Sequence, residues 1–417
     1  MHPRTILLEL WNAALEAVSV GPAFEELLPV RASGRTIVVG AGKAAAAMAV
    51  AAARVYGPDV HGAVVTRHGH GLRAGESAGN IRIIEAGHPL PDSAGFEAGR
   101  AILDCVSHLS ERDLVVFLVS GGGSALLEAP LPGIAFPDVR RINAQLLASG
   151  AAIGEVNAVR KHLSAIKGGR LAGRAFPARV VTLAISDVPG DDPATIASGP
   201  TVADATTQAD ASDILDTFAI PISPHVRTLL SDPQYESLKP GDPRLVRTQF
   251  CMFATQADAL AAAASCARHH GLAVLNRGTR IEGEAKTVAQ EEAALARRIA
   301  PGVILGGGEL TVTLSAVGNG GPNREYALAL ALALEANPRV WALAADTDGI
   351  DGSADAAGAI VTPDTLARAA SMGLDAHAAL ARHDSGTFFA RLGDALVTGP
   401  TRTNVSDFRA MIVLPRT

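Results

Sequence analysis

Short apolar runs alternate with longer, alanine-rich amphipathic stretches along the first 240 residues. Runs rich in Val and Ile predict strands buried on both faces, and the stretches between them predict helices that cover both sides of a mostly parallel sheet. The predicted strands are residues 36–39, 62–66, 81–85, 114–119 and 180–185. The predicted helices are residues 43–56, 93–109, 138–150 and 155–172.

The alternation stops near residues 231–247, where Asp, Pro, Gly and Lys dominate without periodicity. Such a stretch is typical of a domain connection, and 417 residues exceed what one core usually organises. We therefore expect an N-terminal domain over 1–240 and a C-terminal domain over 241–417, both of the α/β class. The second half has predicted strands at 250–254, 273–275, 303–305, 310–315, 340–344, 395–398 and 410–413, and helices at 256–270, 282–299 and 324–335.

Composition narrows the function classes. Apolar residues make up 48% of the chain but aromatics only 4%, so Ala, Val, Leu and Ile must fill the cores. The net charge of −6, with both signs interspersed, argues against a nucleic-acid partner. Cys105, Cys251 and Cys266 lack metal-type spacing and are interpreted as reduced core residues.

The amino-terminal segment is amphipathic and is interrupted by Glu9 and Glu16, which is unlike a signal peptide. No window reaches the ~20 uncharged apolar residues that a membrane span needs. A cytoplasmic location without membrane association is the expectation.

Glycine clusters occur where predicted strands end, and this edge of an open α/β sheet is where ligands bind. Backbone N–H groups in such turns can hold anions without charged side chains. The clusters are residues 40–43, 120–124, 198–201, 306–309, 318–322 and 399–401.

The first cluster has two interpretations. Gly40, Gly42 and Ala45 fit the G-x-G-x-x-A dinucleotide fingerprint, but the next predicted strand ends in Thr66 and Arg67 instead of the acidic residue that would hold a ribose. That departs from an NAD site, while Arg67 leaves a phosphorylated dinucleotide open. No G-x-x-x-x-G-K-[ST] sequence is present, so a kinase here would not be a P-loop enzyme.

Charged residues next to these turns are the candidates for chemistry. Lys43 lies in the first predicted helical turn, where the helix dipole disfavours a cation unless an anion shares the site; the alternative is a solvated lysine. Asp187 follows a strand, and could take a hydroxyl proton or bind Mg²⁺, or simply form a turn. Arg324 opens a helix and could grip phosphate or carboxylate, or lie on the surface. Asp348 and Asp351 suit either Mg²⁺ or a turn.

Histidine and serine give weaker signals. His88 follows a predicted strand and could face a cleft, whereas the remaining histidines lack spacing such as H-E-x-x-H, which disfavours a zinc enzyme. Ser124 lacks the G-x-S-x-G context of a nucleophile, so its hydroxyl is interpreted as a hydrogen-bonding group.

Taken in order, these motifs resemble the glycerate 2-kinase family, whose carboxyl-terminal part is called the MOFRL domain and some members of which are labelled hydroxypyruvate reductase. The resemblance spans nearly the whole chain and rests on the conjunction of motifs. It departs only at Arg402, usually a small residue, and at Thr387, often aromatic. The matching segments are residues 39–43, 88–92, 120–124, 186–188, 198–201, 307–309, 320–325 and 398–405.

The resemblance implies ATP-dependent phosphorylation of D-glycerate at the 2-hydroxyl. It also implies an active-site cleft between two Rossmann-like α/β domains with mostly parallel sheets. The family's lysine, aspartate and arginine fall on Lys43, Asp187 and Arg324. We expect Mg²⁺ at Asp348 and Asp351, and a monomer or homodimer. The expected substrate or phosphate contacts are Gly42, His88, Ser120, Gly121, Gly122, Gly123 and Ser124; the expected nucleotide contacts are Gly307, Gly308, Glu309, Asn323, Thr401 and Asn404.

In the expected mechanism, Lys43 and Arg324 stabilise the transferring phosphoryl group or the glycerate carboxylate, and Asp187 orients or deprotonates the 2-hydroxyl. Two alternatives stay open at this point. One is a hydroxypyruvate reductase that uses NADH or NADPH, and the other is a nucleotide-binding protein without turnover.

Overall fold

A computed structural model of the chain describes residues 1–316, 318–352 and 356–416. Its internal contacts divide the chain into two compact units. The N-terminal unit is Val20–Phe253, and the C-terminal unit combines Met1–Ser19 with Ala254–Thr417. The first helix, α1 (Pro3–Ala17), therefore belongs to the C-terminal unit.

The N-terminal unit is built on a six-stranded sheet in the order β3-β2-β1-β4-β5-β6. The pairs β1–β2, β2–β3, β1–β4 and β4–β5 are all parallel. The elements are α2 (Pro22–Glu25), β1 (Thr36–Ala41), α3 (Ala45–Tyr56), β2 (His61–Arg67), β3 (Asn80–Ala86), α4 (Ser93–Cys105), β4 (Leu114–Val119), α5 (Gly123–Leu126), α6 (Phe136–Ala148), α7 (Ile153–His162), α8 (Arg170–Ala175), β5 (Arg179–Ile185), α9 (Gln208–Thr217), α10 (Pro224–Ser231) and β6 (Thr248–Ala254).

The order of this sheet creates a switch point between β1 and β4. The chain moves from β1 to β2 and β3 on one side, then returns to lay β4 and β5 on the other. Every residue of β1 and of β4 is buried, as their continuous apolar runs predict. In an open parallel sheet, the carboxyl ends of two such strands flank the crevice where ligands bind.

The C-terminal unit contains a seven-stranded sheet in the order β12-β11-β10-β13-β9-β7, with β8 also paired to β9. After β6, its elements are α11 (Gln256–His269), β7 (Val274–Asn276), β8 (Ile281–Glu284), α12 (Ala285–Arg298), β9 (Gly302–Thr311), α13 (Pro322–Leu334), β10 (Val340–Asp346), β11 (Gly358–Val361), α14 (Thr365–Ser371), α15 (Ala376–Ala381), α16 (Ser385–Leu392), β12 (Ala395–Leu396) and β13 (Asp407–Val413).

The α/β class is confirmed, but the second sheet is mixed. Its pairs β10–β11, β10–β13, β11–β12 and β9–β13 are antiparallel, and only β7–β9 and β8–β9 are parallel. The expectation of mostly parallel strands therefore holds for the N-terminal unit alone. A fully apolar strand is compatible with either direction, so the sequence pattern could not distinguish them.

The division into units also differs from the predicted boundary at 240/241. Strand β6, expected to begin the second domain, forms an edge of the first sheet. Helix α1 packs in the C-terminal unit, where the ring of Trp11 lies 5.7 Å from that of Phe408 and Arg4 pairs with Asp394 at 2.7 Å. The apolar face of an amphipathic helix shows that it packs, without showing against which partner.

One predicted helix is in fact two. Residues 155–172 form α7 and α8, which are separated by a segment ending in Gly168 and Gly169 with φ of 60° and 78°. These left-handed conformations favour glycine and interrupt the helix.

Further sequence expectations concern membranes and thiols. Among the described residues, none of the helices combines the length and apolar character required to cross a bilayer. Cys105, Cys251 and Cys266 are thiols, as expected, but all three are half-buried instead of lying in the core. The cleft predicted between the domains stays a prediction.

Candidate functional site

The turn after β1 is locked onto the turn after β4. Gly42 has φ of 128°, and a Cβ there would lie 2.3 Å from the carbonyl oxygen and the Oγ of Ser120. The Lys43 N–H donates to the Gly121 carbonyl at 2.9 Å, and the Ala44 N–H donates to Ser120 Oγ at 2.9 Å. Only glycine permits this approach, which places Lys43 at the switch point of the sheet.

These contacts engage the backbone N–H groups that would bind the pyrophosphate of a dinucleotide. The N–H groups of Gly42 and Ala45 donate to the carbonyls of Val65 and Gly42, each at 3.0 Å. Together with those of Lys43 and Ala44, all four backbone donors of this turn are bound within the protein. A dinucleotide fingerprint binds pyrophosphate through such N–H groups, and here these donors are already engaged.

The phosphate contact predicted for Gly42 is not supported by its N–H group and stays a prediction. Gly42 shapes the turn, and its N–H is already bonded to the Val65 carbonyl. What the turn offers to a ligand is the Lys43 side chain, which is 8% exposed. An ammonium group held at a buried sheet edge suits an anion.

The turn after β4 keeps donors available. Gly122 has φ of 82° and the Ser120 N–H donates to the Ala41 carbonyl at 3.0 Å. Within residues 1–316, 318–352 and 356–416, the N–H groups of Gly121, Gly122 and Ser124 have no protein acceptor. Successive N–H groups around a left-handed residue form a concavity that binds anions. This loop, 120–124, is thus suited to phosphate.

His88 lies against the same loop. A Cβ at Gly122 would be 3.1 Å from His88 Cδ2 and 3.2 Å from Nε2, so the absence of a side chain admits the imidazole. His88 follows β3, which is two strands away from β1 in the sheet. Lys43, His88 and the 120–124 loop are therefore brought together, and the substrate or phosphate contacts predicted for them stay predictions.

Asp187 lies at the same edge. It follows β5 by two residues and is half-buried. Since β5 is parallel to β4, with Ala184 opposite Val119, their carboxyl ends share one edge. Its predicted role toward a hydroxyl group stays a prediction.

A buried polar chain that the sequence did not indicate supports the 120–124 loop. Ser124 Oγ lies 2.9 Å from Ser198 Oγ, and the Ser198 hydroxyl donates to Asn157 Oδ1 at 3.1 Å. Ala197 and Ser198 have φ of 50° and 60°, unusual for residues with side chains. The sequence analysis identified residues 198–201 as a glycine cluster, whereas nothing in the sequence indicated Asn157.

Buried charge lies further behind the loop. Lys167 and Glu128 are almost inaccessible and form an ion pair at 2.5 Å. Burial lowers the pKa of Lys167, and the Glu128 carboxylate counters this effect. The hydrogen bond also connects Glu128, just after α5, to the segment before α8. This pair fixes the base of the loop.

In the C-terminal unit, Arg324 is clamped by Asp351. Asp351 Oδ2 accepts the backbone N–H and the Nε–H of Arg324, each at 2.9 Å, and its backbone carbonyl accepts Nη2. Both side chains are 1% exposed. Arg324 is therefore a fixed, buried guanidinium at the N-terminus of α13, not the surface arginine of the alternative interpretation.

Asp351 also caps the helix. Its Oδ1 accepts the Asn323 N–H at 2.9 Å, so both carboxylate oxygens are engaged with backbone donors of α13. Burial raises the pKa of Asp351, and Arg324 and these hydrogen bonds oppose the rise. These contacts favour a positioning role, and the predicted metal role of Asp351 is not supported by any of them.

Asp348 has a local role in its loop. Its Oδ1 accepts the Ile350 N–H at 2.7 Å and its carbonyl accepts the Thr401 N–H at 3.0 Å. Among the described residues, Asp348 and Asp351 are in no group of three potential metal ligands. Metal binding at Asp348 stays a prediction.

The glycines at 306–308 lie inside a strand, contrary to the turn that was predicted. Residues 302–311 form one continuous strand, β9, in which Gly307 pairs with Phe408 and Gly308 with Asp407 of β13. Glycine is needed because neighbours approach closely: a Cβ at Gly307 would lie 2.4 Å from Gln256 Cδ. The glycine run was mistaken for a chain reversal, since glycine also marks close backbone approach.

Glu309 lies on that strand, beside a buried aspartate that the sequence did not indicate. Burial raises the pKa of Asp407, Arg409 lowers it, and Glu309 adds to the rise. Asp407 Oδ1 accepts Asn323 Nδ2 at 2.6 Å. Thus Glu309 and Asn323 are brought together around Asp407, and their predicted nucleotide contacts stay predictions.

The loop before β13 carries Thr401 and Asn404. Thr401 Oγ1 donates to the Thr347 carbonyl at 2.5 Å, and Asn404 Oδ1 accepts the Ser406 N–H at 3.2 Å. Thr403 Oγ1 donates to the Val18 carbonyl at 2.6 Å, which attaches the end of α1 to this loop. The hydrogen bond between Thr401 and Thr347 therefore joins the loop before β13 to the loop after β10.

Glu325 and His383 support the glycine turn before α13. His383 Nδ1 lies 2.9 Å from Glu325 Oε1, and Lys286 pairs with the same carboxylate oxygen at 3.1 Å. The other ring nitrogen of His383 lies 2.9 Å from Ser315 Oγ. Sequence reasoning noted Glu325 only as part of a motif and did not notice His383 in this role.

The comparisons with known proteins cover both units. A family described as a domain of unknown function, DUF4147, matches residues 6–231, and the MOFRL family matches residues 302–407. A protein from Agrobacterium vitis named "Putative hydroxypyruvate reductase" is 48% identical over 422 residues, covering 98% of this chain and 94% of that protein. D-glycerate 2-kinase from Thermotoga maritima is 38% identical over 416 residues, covering 97% of each.

The fold matches as well. A crystal structure of glycerate kinase from Thermotoga maritima has a TM-score of 0.88 and 37% sequence identity, covering 99% of both chains. The resemblance noted from the loop motifs is thus confirmed over the full length. The chain belongs to the family of MOFRL-domain glycerate kinases.

Proposed function

We propose that this protein is a kinase that transfers the terminal phosphoryl group of ATP to the 2-hydroxyl of D-glycerate. The observation that carries the proposal is the full-length similarity, at 38% identity, to a protein named D-glycerate 2-kinase. The geometry of each unit supports the same chemistry.

Phosphoryl transfer spreads negative charge over the oxygens of the moving group, so an enzyme mainly positions and neutralises. Lys43 supplies a cation at the switch point of the first sheet, and the N–H groups of Gly121 and Gly122 supply neutral donors next to it. Lys43 and the loop hold phosphate or carboxylate oxygens of the substrates. Ser124 is kept in place by Ser198 and is not a nucleophile.

Asp187 is the proposed partner of the 2-hydroxyl. A carboxylate that accepts the hydroxyl hydrogen orients the oxygen for attack and takes its proton as the new O–P bond forms. Arg324 is proposed as the second cation. Because Asp351 fixes its Nε and Nη2, the guanidinium meets an anion in one orientation.

Kinases of small molecules use Mg²⁺ to neutralise nucleotide phosphates, and Mg²⁺ prefers one or two carboxylates together with phosphate oxygens. Asp351 does not fit as a direct ligand, because both of its oxygens accept hydrogen bonds from α13. Asp348 is the remaining candidate of the predicted pair. A cytoplasmic location and a monomeric or homodimeric state also stay predictions.

The second candidate is an NAD(P)H-dependent hydroxypyruvate reductase, favoured by the name of the Agrobacterium vitis relative. One observation weighs against either dinucleotide: the turn after β1 has no backbone donors left for a pyrophosphate. A second weighs against NADH alone, because β2 ends in Arg67 where an NAD site has a ribose-binding acid.

One experiment separates the candidates. Purified protein is incubated with ATP, MgCl₂ and D-glycerate while ADP is measured, and in parallel with hydroxypyruvate and NADH or NADPH while absorbance is followed. We expect ADP formation that requires D-glycerate, no nucleotide oxidation, and a phosphorus NMR signal of 2-phosphoglycerate. ADP formation independent of glycerate, or turnover of hydroxypyruvate alone, would refute the kinase proposal. A 3-phosphoglycerate signal would refute the regiochemistry.

A further inference from the structure

Three metal-ligating side chains meet on the outside of the C-terminal unit. Glu9 lies on α1, and Cys266 and His270 lie one turn apart at the end of α11. One ligand atom from each residue, the Glu9 carboxylate oxygen, Cys266 Sγ and a His270 ring nitrogen, lies within 4.8 Å of the other two. Among the described residues, this is the one such group of His, Cys, Asp or Glu.

The helical geometry explains why the three groups converge. The His270 N–H donates to the Cys266 carbonyl at 3.3 Å, so the two residues are stacked i and i+4 on one face of the helix end. Helix α1 packs beside α11 through a face that buries Leu7, Leu10 and Trp11. Glu9 lies at the edge of that face, where its carboxylate reaches His270.

The geometry points to a zinc site at Glu9, Cys266 and His270, which bridges α1 and α11. We infer that Zn²⁺ binds there through one sulfur, one nitrogen and one oxygen, the donor types that zinc accepts at ~2.0–2.3 Å. The inference does not depend on the proposed kinase activity.

The three side chains are close to the spacing that a shared ion requires. His270 Nε2 lies 2.6 Å from Glu9 Oε2, and a small outward rotation of either side chain would place an ion between them. His270 is 20% exposed and Glu9 is 40% exposed, which leaves an entry path from solvent. A three-ligand site leaves a fourth position of the tetrahedron for water.

Binding requires the thiolate. The thiol proton passes to the buffer as the zinc–sulfur bond forms. The other cysteines, Cys105 and Cys251, are in no such group among the described residues. The sequence alone did not indicate this site, because its single C-x-x-x-H pair has no third ligand until the fold places α1 beside α11.

The test uses the full chain without an affinity tag, stripped of metal by a chelator and kept reduced, in the absence of nucleotide. Co²⁺ is titrated as the spectroscopic probe, and Zn²⁺ binding is measured by calorimetry. We expect one equivalent of each, a thiolate-to-cobalt charge-transfer band in the near ultraviolet, and a higher Tm with Zn²⁺. Absence of the band, or of stoichiometric Zn²⁺ binding, would overturn the inference.

Matched variants locate the site. Cys266→Ser should abolish the charge-transfer band, and His270→Gln or Glu9→Gln should weaken Zn²⁺ binding at least about tenfold. The controls are Cys251→Ser and His269→Gln, since the adjacent His269 ring bonds to the Ser265 carbonyl instead. Binding that survives Cys266→Ser, or that is lost in either control, would contradict the assignment. If Cys266→Ser failed to fold, the wild-type band and its retention in Cys105→Ser and Cys251→Ser would still decide, because the chain has three cysteines.

Discussion

Asp351 holds Arg324 through three hydrogen bonds: the carboxylate accepts the arginine backbone N–H and Nε–H, each at 2.9 Å, and the aspartate carbonyl accepts Nη2. Both side chains are inaccessible to solvent. A buried guanidinium is tolerated only with such compensation, because removing one partner leaves a charge without solvation.

Asp351→Asn should therefore lower both stability and activity. The neutral amide cannot compensate Arg324, so we expect the free energy of unfolding to fall by about 3–5 kcal/mol. We also expect the kinase kcat to fall at least about tenfold. Urea unfolding and steady-state kinetics measure the two quantities.

The control for this variant is Asp364→Asn, which removes an exposed ion pair with Arg368 on α14. It should change stability by less than about 1 kcal/mol. Equal effects of the two substitutions would show that the Asp351–Arg324 pair has no special role.

Gly122 and Gly393 form a matched pair for testing the 120–124 loop. Both adopt left-handed conformations, with φ of 82° and 77°, but a Cβ at Gly122 would contact His88 whereas one at Gly393 would have no atom within 4 Å. Each Gly→Ala change should cost about 1 kcal/mol of stability through backbone strain.

Only Gly122→Ala should lose activity in addition. Displacement of His88 and of the loop N–H groups should reduce kcat/KM for glycerate phosphorylation at least about tenfold, measured at equal concentrations of folded protein. Full activity of Gly122→Ala would separate the loop from the reaction.

Asp113 predicts a pH dependence of stability. Burial alone raises its pKa, but hydrogen bonds from Ser110 and Arg35 outweigh burial and bring the pKa to about 2. The pKa of an aspartate in the unfolded chain is ~4, which is higher. The ionised carboxylate therefore contributes its full stabilisation to the fold above about pH 4. The stabilisation should disappear as the pH falls from about 4 to about 2.

The measurement is the free energy of unfolding of the wild type and of Asp113→Asn, from pH 7 downwards. At neutral pH we expect the variant to be less stable by about 1–3 kcal/mol, since Arg35 and Ser110 lose a charged acceptor. The difference should narrow below pH 4. A difference that stays constant to pH 3 would disprove the assignment.

The sequence predicted the first sheet well because its signals are local. The apolar run of β4 was predicted with the observed bounds, and the glycines after β1 and β4 placed Lys43 and the 120–124 loop at one edge. The direction of strands in the second sheet was not encoded locally, because β10, β11 and β13 are apolar and buried in any pairing.

The features that the sequence did not predict depend on contacts between residues that are distant along the chain. Gly307 was predicted to lie in a turn, because the sequence does not show that Gln256 packs against it. Asp351 was predicted as a metal ligand, because the sequence does not show that Asn323 and Arg324 donate hydrogen bonds to it. Asn157 and His383 have ordinary helical or loop contexts in the sequence, and only the fold brings them to Ser198 and Glu325. The sequence identified the charged residues of the candidate site, but it did not identify the atoms that they contact.

The most direct measurement is the rate of ADP formation with saturating ATP and D-glycerate for the wild type, Lys43→Met and Lys239→Met. Lys239 is a matched lysine whose ammonium is held by Glu236 and Ser237. Loss of a charge that stabilises the transferring group should lower kcat of Lys43→Met by ~10²-fold or more with its unfolding curve unchanged, and Lys239→Met should turn over as the wild type does. A folded Lys43→Met protein with wild-type kcat would contradict the account.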